Sequence, residues 1–172
     1  MADSTEQAAP GDAVHGADFA AACAELLKGQ DNLAGVRGIT NEQLDSIFRV
    51  CYERYLDGDY DSASRGFQLL CMYDHQNPRN WQGYGYSLLG LKDYRKAATS
   101  LAFGSLFLDE DSPAWAEAHV HIAKALLHSN QDDDARAILQ ELAAKASDPG
   151  ILDEAAALNK ALEGRDGAAV NG

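Results

Sequence analysis

The stretch that decides the fold is "GYGYSLLGLKDYRKA", residues 83–97, because it repeats an earlier part of the chain. It begins 34 residues after the start of "RVCYERYLDGDYDSA", residues 49–63. The two stretches carry the same residue types at matching positions, namely Tyr52, Asp59, Tyr60 and Ala63 in the first and Tyr86, Asp93, Tyr94 and Ala97 in the second. Apolar residues recur at helical spacing in the later copy, although its glycines and tyrosines are poor to mediocre helix formers. We therefore interpret the two stretches as copies of one helical unit.

Helix starts recur along the chain at a similar interval. Three of them are marked by a capping residue followed by proline: Asn77-Pro78, Ser112-Pro113 and Asp148-Pro149. Proline suits the first helical position, because the N–H that it lacks would have no partner within the helix. A fourth start lies in "TNEQ", where Thr40 and Gln43 form a capping-box pattern. The proline-marked starts are 35 and 36 residues apart, which again indicates a repeat.

Each unit contains a break of turn-forming residues near its middle, around 57–59, 90–93 and 129–131. We therefore expect helices at 41–56, 60–74, 78–90, 94–108, 114–129, 132–146 and 149–163, preceded by one near 17–29. A period near 34 residues with two helices per unit is the tetratricopeptide signature. The sequence predicts an all-α, tetratricopeptide-like superhelix as a single domain over 17–163, with disordered tails at 1–16 and 164–172. Its three repeats span 41–76, 78–110 and 113–147, between an extra N-terminal helix and a C-terminal helix.

Small residues recur where neighbouring helices of such an array approach each other closely. They are Cys51, Gly85 and Ala123 in the first helices of the pairs, and Ala63, Ala97 and Ala135 in the second helices. The alanine spacing is 34 and then 38 residues, so the connection around "LDEDSPAW" carries about four extra residues. We expect Gly83 and Gly85 to allow close helix packing and Gly90 to lie at the turn.

Charge and composition exclude several classes of function. Fourteen Lys and Arg against 27 Asp and Glu give a formal net charge of −13, which disfavours nucleic acid and anionic membranes as partners. The acidic N-terminus resembles neither a signal nor a transit peptide, and no apolar run is long enough for a membrane span. The three cysteines, Cys23, Cys51 and Cys71, include no CxxC pair and favour buried residues in a reducing cytoplasm over a disulfide or metal site.

The first helix of each pair lines the concave surface of a tetratricopeptide array, and residues at i, i+4 and i+7 share one face. This template selects Phe48, Tyr52 and Tyr55, then Gln82, Tyr86 and Leu89, then Val120, Lys124 and Leu127. The resulting candidate groove is aromatic and apolar, and the tyrosines favour peptide binding because each has a flat apolar body and a hydroxyl group. The alternative is that these aromatic residues form the core of a tightly curved helical bundle.

No pattern for chemistry stands out. Asp132, Asp133 and Asp134 diverge by about 100° per residue on a helix, so they stabilise a helix N-terminus rather than bind one cation. His119 and His121 point to nearly opposite sides of a helix, which disfavours a shared metal ion and favours packing or groove roles. Phosphate loops, nucleophile elbows and paired metal-ligand motifs are missing from the sequence. We expect no enzymatic activity, no cofactor and no metal.

From about Gly38 to Lys145 the chain resembles the class II chaperones of type III secretion, the SycD/LcrH-like proteins. The most specific segment is "FQLLCMYDHQNPRNW", residues 67–81, which resembles the way this family joins its first two repeats. The chain departs from the family at Asn80, where an aromatic residue often stands beside Trp81.

The resemblance implies a bacterial cytoplasmic chaperone that binds two hydrophobic translocators and keeps them soluble, separate and protected from proteolysis until secretion. In this family an extended N-terminal segment of the translocator lies in the concave groove. The family's groove aromatics correspond to Phe48, Tyr52, Tyr55 and Tyr60 in the first repeat and Phe103 in the second. The family's N-terminal helix is a dimerisation element in some members, so a homodimer is an open alternative here.

Two other classes of function remain as alternatives. One is a generic tetratricopeptide scaffold or co-chaperone that binds an unrelated peptide; Phe48 and Tyr52 occupy the positions where the carboxylate clamp of Hsp90-type co-chaperones begins. The other is an enzyme or regulator that uses the repeats only for docking, for which the sequence outside the repeats leaves too little room for another domain.

Overall fold

The computed structural model describes residues 32–170, with side chains described through Arg165. The helices of this part are α1 (Leu33–Val36), α2 (Asn41–Leu56), α3 (Tyr60–Tyr73), α4 (Pro78–Gly90), α5 (Tyr94–Ser105), α6 (Pro113–His128), α7 (Asp132–Lys145) and α8 (Pro149–Val170). From α2 onward each helix packs against the next, and α8 packs against both α6 and α7. Three helix pairs followed by a closing helix confirm the predicted all-α, tetratricopeptide-like superhelix. None of the described helices is long and apolar enough to cross a membrane.

The last helix is longer than the sequence predicts. Helix α8 continues to Val170, so residues 164–170 are helical, whereas we expected them to belong to a disordered tail. Arg165 explains part of this extension, because its guanidinium donates to the Leu127 carbonyl and pairs with Asp132, both at 2.9 Å. The predicted helix near 17–29, the predicted tail 1–16 and Cys23 lie outside the described residues.

The predicted caps begin their helices. At α2 the Thr40 hydroxyl accepts from the Gln43 backbone N–H at 3.3 Å, and the Gln43 side chain accepts from the Thr40 N–H at 2.9 Å. The three residues that precede proline also accept from backbone N–H groups of the first turn, Asn77 from Arg79, Ser112 from Trp115 and Asp148 from Ile151. These bonds satisfy amides that would otherwise lack partners at the helix starts.

The turn inside each repeat contains a residue in the left-handed region. Gly58, Lys92 and Asn130 have φ angles of 78°, 61° and 56°. Their spacing of 34 and 38 residues follows the repeat, so the same turn is built three times. The expectation that Gly90 serves this turn is wrong, because Gly90 is the last residue of α4 and Lys92 takes the left-handed conformation.

Glycines in α4 are required by close packing. A Cβ atom at Gly85 would lie 2.5 Å from Leu101 Cγ, and one at Gly83 would lie 2.5 Å from the Phe67 ring. At Gly90 the ring of Tyr60 occupies the corresponding space, also at 2.5 Å. The three glycines therefore let α4 approach its neighbours, as predicted for Gly83 and Gly85.

Buried apolar residues form two clusters in the described part of the chain. The smaller one joins α1, α2 and α3 around Phe67, and the larger one extends from α4 to α8. Tyr84 packs against both clusters and links them. Asn80 also ties the repeats together, because its buried amide donates to the carbonyls of Leu70 and Asp74 at the end of α3. This bonding gives a polar role to the position that is often aromatic in the family.

Cys51 and Cys71 are buried free thiols, as the sequence analysis expected. Burial raises the pKa of the Cys71 thiol to about 12. The thiolate is the reactive form, so both side chains serve as small packing residues in the folded chain.

His119 is a packing residue of α6. Its side chain is 5% exposed and stacks on Trp115, with ring centroids 3.6 Å apart. Its Nδ1 lies 2.9 Å from the Trp115 carbonyl, which accepts from the ring in the tautomer protonated there. Burial lowers the pKa of both His119 and His121.

We expect stability to fall as the pH drops below about 6.5, the ordinary histidine pKa. In that range the unfolded chain binds protons that the folded chain rejects, because folding lowers the pKa of both histidines; stability therefore rises with pH. Thermal melting between pH 7.5 and 5.5 measures this dependence, and His119→Gln should flatten it. The matched control is His75→Gln. An unchanged slope in the His119 variant would contradict the assignment.

Candidate functional site

The most prominent surface feature is a row of aromatic rings along α2. Phe48, Tyr52 and Tyr55 follow one another with centroid separations of 6.4 and 6.3 Å, and Tyr60 continues the row 5.5 Å beyond Tyr55. Their spacing along the sequence places the first three on one side of the helix, as the i, i+4, i+7 template predicts. Tyr52 is 48% exposed, so its ring is available to a ligand.

Helix α4 forms the opposite wall of an open cavity of about 650 Å³. The cavity is lined by Asp45, Phe48, Arg49, Tyr52, Tyr55, Phe67, Arg79, Gln82, Gly83 and Tyr86. We call this cavity the aromatic groove. Five of the predicted groove residues, Phe48, Tyr52, Tyr55, Gln82 and Tyr86, therefore come together. Because Gly83 has no side chain, the ring of Phe67 reaches the floor of the groove, where it meets Phe48 edge-on at 5.3 Å.

Tyr86 connects the aromatic groove to the core. Its ring meets His121 edge-on at 5.0 Å and packs against the larger buried cluster. Burial, with a smaller contribution from Glu117, raises the pKa of the Tyr86 hydroxyl to about 12. Burial also raises the pKa of Tyr55, with contributions from Tyr60 and Tyr52. Both phenols thus remain neutral hydrogen-bonding groups at physiological pH.

The third repeat does not extend the groove as the sequence analysis expected. Val120 and Leu127 are 2% and 6% exposed and belong to the larger buried cluster, which also includes Ala155 and Leu162 of α8. The closing helix α8 packs against α6 and removes these positions from solvent. The prediction that Val120 and Leu127 line an open groove is therefore wrong, because α8 covers both residues.

Two further predicted groove residues are occupied by contacts within the chain. The Lys124 ammonium pairs with Glu154 of α8 at 2.6 Å. Leu89 is partly buried and packs against the larger cluster. Neither lines the aromatic groove.

The two residues that rested on the family resemblance lie in different places. Tyr60 extends the ring row of α2 and packs over Gly90, although it is not among the lining residues. Phe103 contacts Trp81 at 4.5 Å and Phe107 at 5.7 Å, in an exposed aromatic group outside the aromatic groove. The expectation that Phe103 lines the groove is therefore wrong for the aromatic groove.

Five lining residues lie outside the predicted groove set: Asp45, Arg49, Phe67, Arg79 and Gly83, of which Gly83 was predicted only as a packing residue. Helical spacing would have found two of them, because Asp45 lies three residues before Phe48 and Arg79 three residues before Gln82. The guanidinium of Arg79 lies 4.3 Å from the centroid of the Phe48 ring. Phe67 is both a core residue and the floor of the groove.

The side chains that line the aromatic groove are suited to binding another molecule rather than to catalysis. Its lining combines aromatic faces, neutral hydroxyl and amide groups and two guanidinium groups. Within the described residues, no three metal-ligating side chains converge. Two of the three aspartates at the start of α7 have partners, since Asp132 pairs with Arg165 and Asp134 accepts from Gln131. An open aromatic surface of this kind suits an apolar peptide segment.

No family model matches the chain. Low calcium response locus protein H of Yersinia pestis is 27% identical over 130 residues, which cover 74% of this chain and 75% of that protein. The type III secretion translocator chaperone SycD of Yersinia enterocolitica has a similar structure, with a TM-score of 0.59 and 25% identity over 77% of this chain and 97% of that chain.

PcrH of Pseudomonas aeruginosa, in complex with the chaperone binding region of PopB, matches with a TM-score of 0.58 and 27% identity over 72% of this chain and 97% of that chain. The same repeat architecture thus recurs in these proteins along nearly their whole length. These similarities confirm the expected resemblance of this chain to the class II translocator chaperones of type III secretion, the SycD/LcrH-like tetratricopeptide proteins.

Proposed function

We propose that this chain binds hydrophobic translocator proteins, two of them, in the bacterial cytoplasm and holds an extended N-terminal segment of each in the aromatic groove. It keeps these proteins soluble, separate and protected from proteolysis before secretion, and it acts without catalysis. The observation that carries the proposal is the row formed by Phe48, Tyr52 and Tyr55 along an open cavity.

The spacing of the rings fits an extended peptide. Consecutive centroids along Phe48, Tyr52 and Tyr55 are 6.4 and 6.3 Å apart. Two residues of an extended strand span about 6.6 Å, and alternate side chains point to the same side. Every second side chain of a bound segment can therefore meet successive rings, while the residues between them face solvent or α4.

The groove supports reversible binding. One apolar side chain buried in a pocket contributes about 1.5–3 kcal/mol before ordering costs are subtracted. Three such anchors support a dissociation constant of about micromolar. A carrier that must release its client for secretion needs an affinity of this order. The PcrH complex with the chaperone binding region of PopB supports the same kind of partner for this chain.

We predict that Tyr52→Ala abolishes retention of translocators while changing the melting temperature little, because the side chain is 48% exposed. Affinity purification from the native bacterium, followed by mass spectrometry, compares the clients held by wild type and variant. Tyr86 is less suitable as a probe, since its ring also packs against the core.

Phe103→Ala is the matched control, because Phe103 is 42% exposed and lies outside the aromatic groove. It should retain the clients. Equal retention by the Tyr52 variant, or loss of clients only in the Phe103 variant, would overturn the assignment of the groove.

A further inference from the structure

The aromatic groove has a positively charged end. Arg49 and Arg79 are exposed lining residues, and Asp45 supplies the one carboxylate among the ten residues that line the cavity. The excess of positive charge at this end contrasts with the net charge of −13 of the whole protein. Such a local positive charge inside an acidic surface attracts anionic groups to one place.

Both cations that line the groove are available to a ligand. In the part of the chain that the structure describes, neither Arg49 nor Arg79 forms an ion pair within 4 Å. Lys124, on the next first helix and outside the groove, is by contrast paired with Glu154 at 2.6 Å. The two arginines therefore remain as the positive groups that a bound segment can meet.

Arg79 is oriented for recognition of a carboxylate. Its guanidinium lies 4.3 Å from the centroid of Phe48, so one face is used by the aromatic ring. The N–H groups of a guanidinium lie in its plane and remain free for a bidentate contact. The ring supports the cation at the place where a peptide anchor would meet Phe48 and the Phe67 floor.

We infer that Arg49 and Arg79 are specificity-determining residues, and that the bound segment carries a carboxylate next to the anchor residue that meets Phe48. The carboxylate is that of an aspartate or glutamate side chain, because a segment near the N-terminus of its client has no chain end with a free carboxylate in the groove. This inference rests on the proposed function, since it names the chemistry of the segment that the same groove holds. It also places the acidic residue of the segment at the Phe48 end of the groove, where Arg79 lies over the ring.

The test is a library of random 12-residue peptides, synthesised once with amidated and once with free C-termini, and probed with the labelled protein. Wild type should enrich aspartate and glutamate about threefold or more at one position relative to the apolar anchors. Enrichment in the amidated library identifies a side-chain carboxylate and supports the inference. Binding only in the free-acid library identifies a chain end and overturns it.

Three variants make the result decisive. Arg49→Gln combined with Arg79→Gln should remove the acidic preference and weaken a selected acidic peptide about tenfold, while its amide analogue binds equally to both proteins. The charge reversal Arg49→Glu with Arg79→Glu should enrich lysine and arginine at the same position. Arg95→Gln, an exposed arginine outside the groove, is the matched control and should leave the preference unchanged.

The two possible failures are distinguishable. Peptides that bind wild type and are lost with Tyr52→Ala, but show no acidic preference in either library, overturn the inference and leave the groove assignment intact. Failure of wild type to select any peptide, or selection that is insensitive to Tyr52→Ala, overturns the proposed function itself. Selection of the same acidic motif by the double glutamine variant also overturns the inference.

Discussion

Gly85→Leu is expected to lower the free energy of unfolding by about 3 kcal/mol and to lower the melting temperature accordingly. A single Cβ at this position would lie 2.5 Å from Leu101 Cγ and 2.7 Å from Leu101 Cδ2. Leu101 is fully buried and cannot move aside without displacing its own neighbours. The leucine side chain adds three more carbons to this clash, so α4 and α5 must separate.

Circular dichroism during thermal and urea unfolding measures the loss. Gly164→Ala is the matched control, since a Cβ there meets nothing within 4 Å and alanine favours helix by about 0.5–1 kcal/mol. The control should be slightly more stable than wild type. Near-wild-type stability of the Gly85 variant would show that α4 and α5 do not meet at this position.

Phe67→Ala is expected to cost about 3–5 kcal/mol and to open the N-terminal repeat before the rest of the array. Phe67 is 1% exposed and is the largest side chain of the smaller buried cluster. It also fills the space that Gly83 leaves and supports the ring of Phe48. Since repeats contact mainly their neighbours, the damage should stay close to the site of the change.

Hydrogen exchange followed by mass spectrometry separates local from global loss. In the Phe67 variant, protection should fall across α2 and α3 and remain in α6 to α8. Leu139→Ala is the matched control, because Leu139 is fully buried at the equivalent position of the larger cluster. It should reduce protection in the C-terminal half first. Uniform loss of protection in both variants would mean that the two clusters unfold as one unit.

Local chemistry made most helix positions predictable from sequence. The bonds of Thr40, Asn77, Ser112 and Asp148 to first-turn amides depend on residues close in the chain, and these helices begin where the caps predict. The small residues at the close helix contacts were also predictable, because they recur at equivalent positions of the repeats. The turn at Lys92 was not, since a lysine gives no sequence signal for a left-handed conformation.

The extent of the candidate site depended on long-range packing. The template placed Val120 and Leu127 in the groove by analogy with earlier repeats, but it contained no information on α8, which covers them. Phe103 shows the same limit, since its contact with Trp81 is set by how α4 and α5 pack. Arg79 is different, because its helical spacing of three residues from Gln82 is enough to place it on the groove side of α4.

The placement of the groove over the smaller cluster couples ligand binding to the stability of the N-terminal repeat. Phe67 belongs to that cluster, Phe48 and Tyr55 pack against it, and all three line the groove. A ligand that binds only the folded repeat stabilises it in proportion to the logarithm of its concentration above the dissociation constant. A filled groove is therefore expected to make local opening of α2 and α3 rarer, so that occupancy can be read as slower hydrogen exchange in these two helices.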